Sequence, residues 1–183
     1  SLYLYLKYKY FNKEEIPFID KIEVSLKGPG SVKIRVYEKS VIGYVTYMGS
    51  HFYFDKDGVV VESSADVKEG IPCISGVKFS SLALYQKLQV EDDKIFSRIL
   101  NITQLLKKYE LSPDKIEFGR DLSLTLYFAD VKVAMGSGDN LEDKVGRLHE
   151  LYSDLEGLSG TLRMENYTSD SKFISFEKDS SGE

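Results

Sequence analysis

The sequence predicts an α+β fold, and three observations predict it. Short runs of alternating apolar and polar residues recur along the chain, bounded by Gly, Pro and Asp turns. Two longer stretches repeat apolar residues at spacings of three and four, as amphipathic helices do. With 183 residues, 42% hydrophobic and 29% charged, the chain can bury a core in one ordinary domain or two small ones.

The elements follow in order. Ser1 to Phe11 alternates apolar and aromatic residues, which suggests a strand, although Leu4, Tyr8 and Phe11 also share a helical face. Asn12 to Pro17 breaks the pattern. Ile22–Leu26 and Val32–Val36 alternate strictly, as strands with one wet face do, and Gly28-Pro29-Gly30 between them reads as a hairpin turn. Val41 to Met48, His51 to Phe54 and Val59 to Glu62 continue as a meander, turning at Gly49-Ser50 and at Asp55-Lys56-Asp57-Gly58. A loop at Glu69–Pro72 precedes another short run at Ile74–Phe79. Helix signals begin around Leu82 and become clear at Asp92-Asp93. The apolar stripe there is Ile95, Phe96, Ile99, Leu100, Leu105 and Leu106. Lys107 and Lys108 close it, where cations suit the helix dipole. After the linker Ser112-Pro113-Asp114, strands are expected at Lys115–Phe118, Ser123–Phe128 and Val131–Met135. A second helix is expected from an N-cap at Asp139 or Asn140, with Leu141, Val145, Leu148, Tyr152 and Leu155 on its core face and Gly157 ending it. Strands at Thr161–Glu165 and Phe173–Phe176 finish the series, and Glu177 onward reads as a polar, frayed tail.

Composition removes several function classes. There are 24 basic and 29 acidic residues, a net charge of −5, which argues against general nucleic-acid binding. Residues 1–39 carry +3, which leaves −8 for the rest. One cysteine excludes a disulfide framework and a multi-cysteine metal site, and two histidines leave little room for a histidine one. No apolar run approaches the roughly 20 residues that span a bilayer. Asp55-Lys56-Asp57-Gly58 resembles the start of a calcium loop, but Val59 and Val61 stand at ligand spacings and Asp66 at the twelfth position, so it reads as a hairpin turn. His51, on a strand, and His149, on a helix, have no triad pattern around them. Cys73 reads as a buried or semi-buried thiol. Met135-Gly136-Ser137-Gly138 lacks both common phosphate-loop signatures and reads as a strand-to-helix turn. Asn101-Ile102-Thr103 and Asn166-Tyr167-Thr168 match glycosylation sequons, the first inside a predicted helix. No catalytic residue, cofactor site or metal site is assigned. The terminal strand Lys172–Phe176 is the remaining informative feature. At a sheet edge it would present unpaired backbone groups to a partner strand; the other reading is a covered or central strand.

The ordered motifs resemble the FtsQ/DivIB family of bacterial cell-division proteins, from about Ile16 to Phe176. Ile16 to Val24 resembles the family's segment entering a strand after a short helix. Val32 to Lys39 resembles the strand leading from the POTRA domain into the β domain. Tyr53 to Gly58 matches the family's aspartate-x-x-glycine turn, and Ile71 to Gly76 its LPxLxG loop, with Cys73 at a variable place. Leu126 to Gly136 resembles the paired strands before the final helix, Lys144 the lysine near that helix's start, and Gly160 to Met164 the family's DLR-aromatic strand. Thr161 replaces the usual aspartate of that strand and Met164 its aromatic.

The resemblance implies a partial POTRA-like segment followed by a mostly antiparallel mixed β-sheet domain with two main helices. The implied boundaries are 1–39 for the end of a POTRA domain, 40–177 for the β domain and 178–183 for a flexible tail. The POTRA domain's first strand and helix, one membrane helix and a cytoplasmic tail are expected upstream of Ser1. The implied role is a non-enzymatic divisome scaffold on the extracytoplasmic side of the cell membrane at the division septum. Its expected partners are FtsB/DivIC-like and FtsL-like proteins, which add a strand to the end of the β domain. The implied contact residues are Arg163, Met164, Lys172, Phe173, Ile174, Ser175 and Phe176, with Arg163 offered to a partner carboxylate. The alternative is an extracytoplasmic ligand-binding or cell-wall hydrolytic domain, whose tyrosine-rich start would contact sugar.

Overall fold

The computed structural model describes residues 19–28, 31–38, 41–90 and 93–179. The expected elements at Ser1–Phe11 and Asn12–Pro17, and Pro29-Gly30 of the first turn, lie outside the described residues. The chain divides into two compact units, residues 1–41 and 42–183.

In the first unit, β1 (Ile19–Gly28) and β2 (Ser31–Glu38) form an antiparallel hairpin. Ile22 stands opposite Val36, Val24 opposite Ile34 and Leu26 opposite Val32, so the two alternating runs meet in register. Glu23 and Arg35, also opposite, form an exposed ion pair at 3.4 Å.

The second unit carries one mixed sheet of nine strands. Its members are β3 (Val41–Tyr47), β4 (Ser50–Asp55), β5 (Val60–Ser64), β6 (Cys73–Ser75), β9 (Lys115–Phe118), β10 (Leu124–Phe128), β11 (Val131–Gly136), β12 (Gly160–Arg163) and β13 (Ser175–Lys178). The spatial order is β13-β12-β11-β10-β9-β6-β3-β4-β5. A short pair, β7 (Phe79–Ser81) and β8 (Gln89–Val90), stands apart. The β3/β6, β6/β9 and β11/β12 pairs are parallel, and the connections of the last two contain a helix, the usual form of a parallel crossover. These helices are α1 (Asp93–Lys108) and α2 (Leu141–Leu151). The fold is therefore α+β, as the sequence predicts.

Ile95, Ile99, Ile102 and Leu106 of α1, and Val145 and Leu148 of α2, pack in one core with Ile116, Leu126, Val133 and Leu162 of the sheet. Alternation explains the layering. Leu124, Leu126 and Phe128 of β10 face the helices, while Thr125 and Tyr127 lie on the other face and are only half-buried. On that other face Tyr127 donates to Glu117 Oε2 at 2.5 Å and Lys115 reaches the same oxygen at 2.9 Å. These hydrogen bonds, Tyr127's foremost, hold the Glu117 carboxyl below its ordinary range.

Lys144 is a charged side chain buried in this core, 1% exposed. Its Nζ donates to the Met135 carbonyl at 2.7 Å and to the Glu165 carbonyl at 2.9 Å. It thereby ties the first turn of α2 to the ends of β11 and β12. Burial pulls its pKa below the usual lysine value, because the desolvated ammonium is disfavoured.

Several boundaries differ from the sequence reading. The stretch around Leu82 is loop and turn, and the helix starts at Asp93. Tyr85, in that loop, holds a positive φ of 63° and donates its N–H to the Val60 carbonyl, so the segment covers β5 instead of starting a helix. Asn140 sits at the N-cap position of α2 in the left-handed region, φ 52°, and its side chain makes no capping bond. Gly157 does not end α2 directly: the helix stops at Leu151, a 3-10 turn runs over Tyr152–Leu155, and Gly157 follows at φ 74°. The penultimate strand closes at Arg163, and the last starts at Ser175, later than Phe173. Glu177 and Lys178, expected in the tail, belong to that strand.

Candidate functional site

The sheet ends at β13, and the backbone bonds of β12 show which way it faces. Gly160 N–H donates to Asp130 O at 3.2 Å and Met164 N–H to Ala134 O at 2.9 Å. Gly160, Leu162 and Met164 therefore bond toward β11, and Thr161 and Arg163 turn their backbone groups toward β13. Their antiparallel partners are Glu177 and Ser175. Asp179 N–H to Ser159 O, 3.2 Å, extends the same alternation. Phe176 and Lys178 consequently point their N–H and C=O away from β12. No strand among the described residues pairs with that outer side.

Gly160 lets β13 lie this close. Its φ is 152°, and a Cβ there would stand 2.3 Å from the Glu177 carbonyl oxygen. No residue with a side chain fits without moving the strand.

The seven residues expected to contact a partner separate into three groups. Ile174 and Phe176 are half-buried and pack on the core, Phe176 opposite Leu162. Met164 is 0% exposed, so its side chain is a core residue. The reason is period two: Met164 falls on the same face as Leu162. Arg163, Ser175, Lys172 and Phe173 are exposed. Phe173 is 90% exposed and, with Lys172, lies in the loop before β13 and not in the strand.

Arg163 is already engaged within the chain. Its Nε and Nη2 reach Glu177 Oε2 at 2.9 and 2.7 Å, and Nη1 reaches Glu165 Oε1 at 3.2 Å. The hydrogen bonds to Glu177 raise the guanidinium pKa, and they hold the Glu177 carboxyl below its usual value of 4.5. The fork that was expected to meet a partner carboxylate instead clasps β12 to β13. Sequence reading missed Glu177 and Lys178 because a polar pair after Phe176 looks like the start of a tail. The alternation Ile174, Phe176, Lys178 was the available signal, since those three share one backbone direction.

The other motifs resolve as local structure. Asp55 is 5% exposed, and its Oδ1 accepts the N–H groups of Asp57 and Val59, each at 3.0 Å, so the carboxylate pins the turn with Gly58 at φ 80°. Among the described residues no group of three or more His, Cys, Asp and Glu side chains stands together for a metal. His51 Nδ1 lies 3.1 Å from Thr46 Oγ1, with its ring edge-on to Tyr44. Cys73 is half-buried beside Tyr44, whose hydroxyl is pushed up to about 12 by burial first and the neighbouring thiol second. His149 stacks obliquely near Tyr109. Ser137 Oγ donates to Asp139 Oδ2 at 2.8 Å in the turn before α2. A groove beside the β10–β11 turn has three carboxylates near it, Asp114, Asp130 and Glu156, all exposed.

Comparison with known proteins places the sequence beside a family. The family described as "Cell division protein FtsQ/DivIB, C-terminal" matches residues 43–169, ending before β13 begins. The cell division protein DivIB of Clostridium acetobutylicum is 26% identical over 144 residues, covering 76% of this chain and 56% of that protein. DivIB of Clostridium botulinum strain Hall is 23% identical over 133 residues, covering 70% and 52%. DivIB of Aerococcus urinae is 21% identical over 155 residues, covering 84% and 34%. The chain spans about half the length of the first two of these relatives.

Proposed function

The chain belongs to the FtsQ/DivIB family of cell-division proteins, and on that premise we propose that it is a non-enzymatic scaffold of the divisome. Residues 40–177 are the family's β domain, and residues 1–39 are the end of a POTRA domain. FtsB/DivIC-like and FtsL-like partners bind it by adding a strand to β13. The protein is held at the septal membrane by a helix outside this sequence, with the region described here on the extracytoplasmic face. No described helix is itself long and apolar enough to cross a membrane.

The observation that carries this reading is the outer side of β13. Phe176 and Lys178 present two residues' worth of backbone donors and acceptors in strand geometry. Main-chain pairing there supplies affinity, and flanking side chains set register. The exposed Phe173 next to this edge is the apolar anchor, because an aromatic 90% exposed on the domain gains most by burial against a partner. Arg163 contributes by holding β13 in place, and Met164 by core packing.

Lys178→Pro tests the reading. It removes an outward N–H while leaving the inward bonds of Ser175 and Glu177 intact, as edge strands permit. Binding of the extracytoplasmic domain of a DivIC-like partner should fall at least tenfold by calorimetry, with the melting temperature nearly unchanged. Wild-type affinity in that variant would sink strand addition at β13.

A further inference from the structure

The groove beside the β10–β11 turn differs chemically from the strand edge. Its volume is about 450 Å³, within the range of ordinary ligand sites. The floor is apolar: Phe128, Val131 and Leu155 are buried members of the core, and Leu158 is half-buried against it. Tyr152 forms a wall, its ring edge-on to Phe128 with centroids 5.2 Å apart.

The lip is acidic. Asp130 and Glu156 are exposed, and among the described residues neither carboxylate has an ion-pair or hydrogen-bond partner. Asp114 stands with them. Its Oδ2 accepts the Ala129 N–H at 2.7 Å, which fixes both the turn and that carboxylate at the rim. Of the three carboxylates, that of Asp114 is the one held in place by such a bond. This negative lip borders an apolar trough.

One kind of side chain matches both parts. Lysine and arginine carry an apolar stem that packs on aliphatic surface and a cationic tip that seeks carboxylates. An anionic ligand would be repelled at the lip, and a bare cation would make no use of the floor. We propose that this groove binds a lysine or arginine side chain, flanked by apolar residues, from an extended segment of a protein partner. The row Lys178, Gly160, Val131 crosses β13, β12 and β11. It sets the groove two strands, about 10 Å, inward of the edge. The proposal stands whether or not β13 accepts a strand.

The probe is an acetylated, amidated leucine–lysine–leucine peptide titrated into the full chain and followed by amide chemical shifts. A norleucine-centred analogue keeps the stem and removes the charge. Shifts are expected at residues 128–131 and 152–158. Affinity should fall at least fivefold for the analogue and at least fivefold for the double variant Asp130→Asn with Glu156→Gln, whose spectrum elsewhere should be unchanged because both side chains are exposed. Lys178→Pro should leave the titration as in wild type, which separates this site from the strand edge. The proposal is overturned if those positions do not shift, or if the double variant binds the peptide equally well. Sedimentation showing a dimer that the double variant dissolves would assign the groove to a second copy and overturn it as well.

Discussion

The nine-stranded sheet has two edges, and the chain treats them differently. At β5 a loop bonds the start of the strand's outer edge. Val60 N–H donates to Gln86 O at 3.0 Å, Tyr85 N–H to Val60 O at 2.7 Å, and Leu88 N–H to Gly58 O at 2.8 Å. Val60 and Val61 are 0% and 1% exposed there. At β13 nothing described does the same, and Ser175, Glu177 and Lys178 are exposed. Uncovered edges invite pairing with other chains, and proteins commonly blunt them. A domain that spends a loop on covering one edge and leaves the other bare has the means to cover both. The contrast is the structural basis for reading β13 as the working edge.

The contrast can be broken from either side. The largest effect is expected at the covered edge. Leu88 is 2% exposed and belongs to the core cluster. Leu88→Ala should cost about 3 kcal/mol through the cavity it leaves. It should also loosen the loop over β5, seen as faster hydrogen exchange at Val60 and a rise in aggregation. Unchanged exchange at Val60 would mean the loop does not protect that edge.

Gly160→Ala strikes the open edge. The new Cβ would meet the Glu177 carbonyl oxygen in a backbone conformation that suits glycine. A loss of about 2 kcal/mol is expected, from strain at this position. Exchange should rise selectively at Ser175 and Glu177, the residues bonded to β12, while α1 stays protected. A uniform loss of protection would instead make β13 part of the cooperative core.

The smallest effect belongs to the Arg163–Glu177 clasp, which is exposed at both ends. Arg163→Ala should leave the melting temperature nearly unchanged, yet raise exchange at the Glu177 amide. The pH dependence has a definite sign. Arg163 lowers the Glu177 pKa in the folded state, so the clasp is fully present above the unfolded value of 4.5 and is lost as pH falls through the lower folded value. Acidification below 4.5 should loosen β13 in wild type and have less effect on it in Glu177→Gln. Equal acid sensitivity in both would remove the clasp from the account.

Much of the architecture was legible because it follows from period. The apolar stripe of α1, the alternation of β10 and the Asp55 turn each write their environment into a few neighbouring residues. The Leu82 region misled because its apolar residues serve a loop that caps β5, and a cap's partner lies more than twenty residues away. The end of β13 misled because polar strand residues at an edge look like tail. Arg163 was legible as an exposed charge on a strand, but not as one already paired, since Glu177 meets it only after the chain has left the sheet and returned.

By itself the sequence determined the two helices and the main strands of the sheet, their wet faces, and the order of motifs shared with a family, because these rest on local spacing and turn chemistry. Only the tertiary structure decided that Met164 is core, that Gly160 admits β13 beside it, and that Phe176 and Lys178 turn their backbone outward. Those facts depend on which strand lies next to which, and neighbours in a sheet are brought together by burial across the whole chain and not by proximity along it.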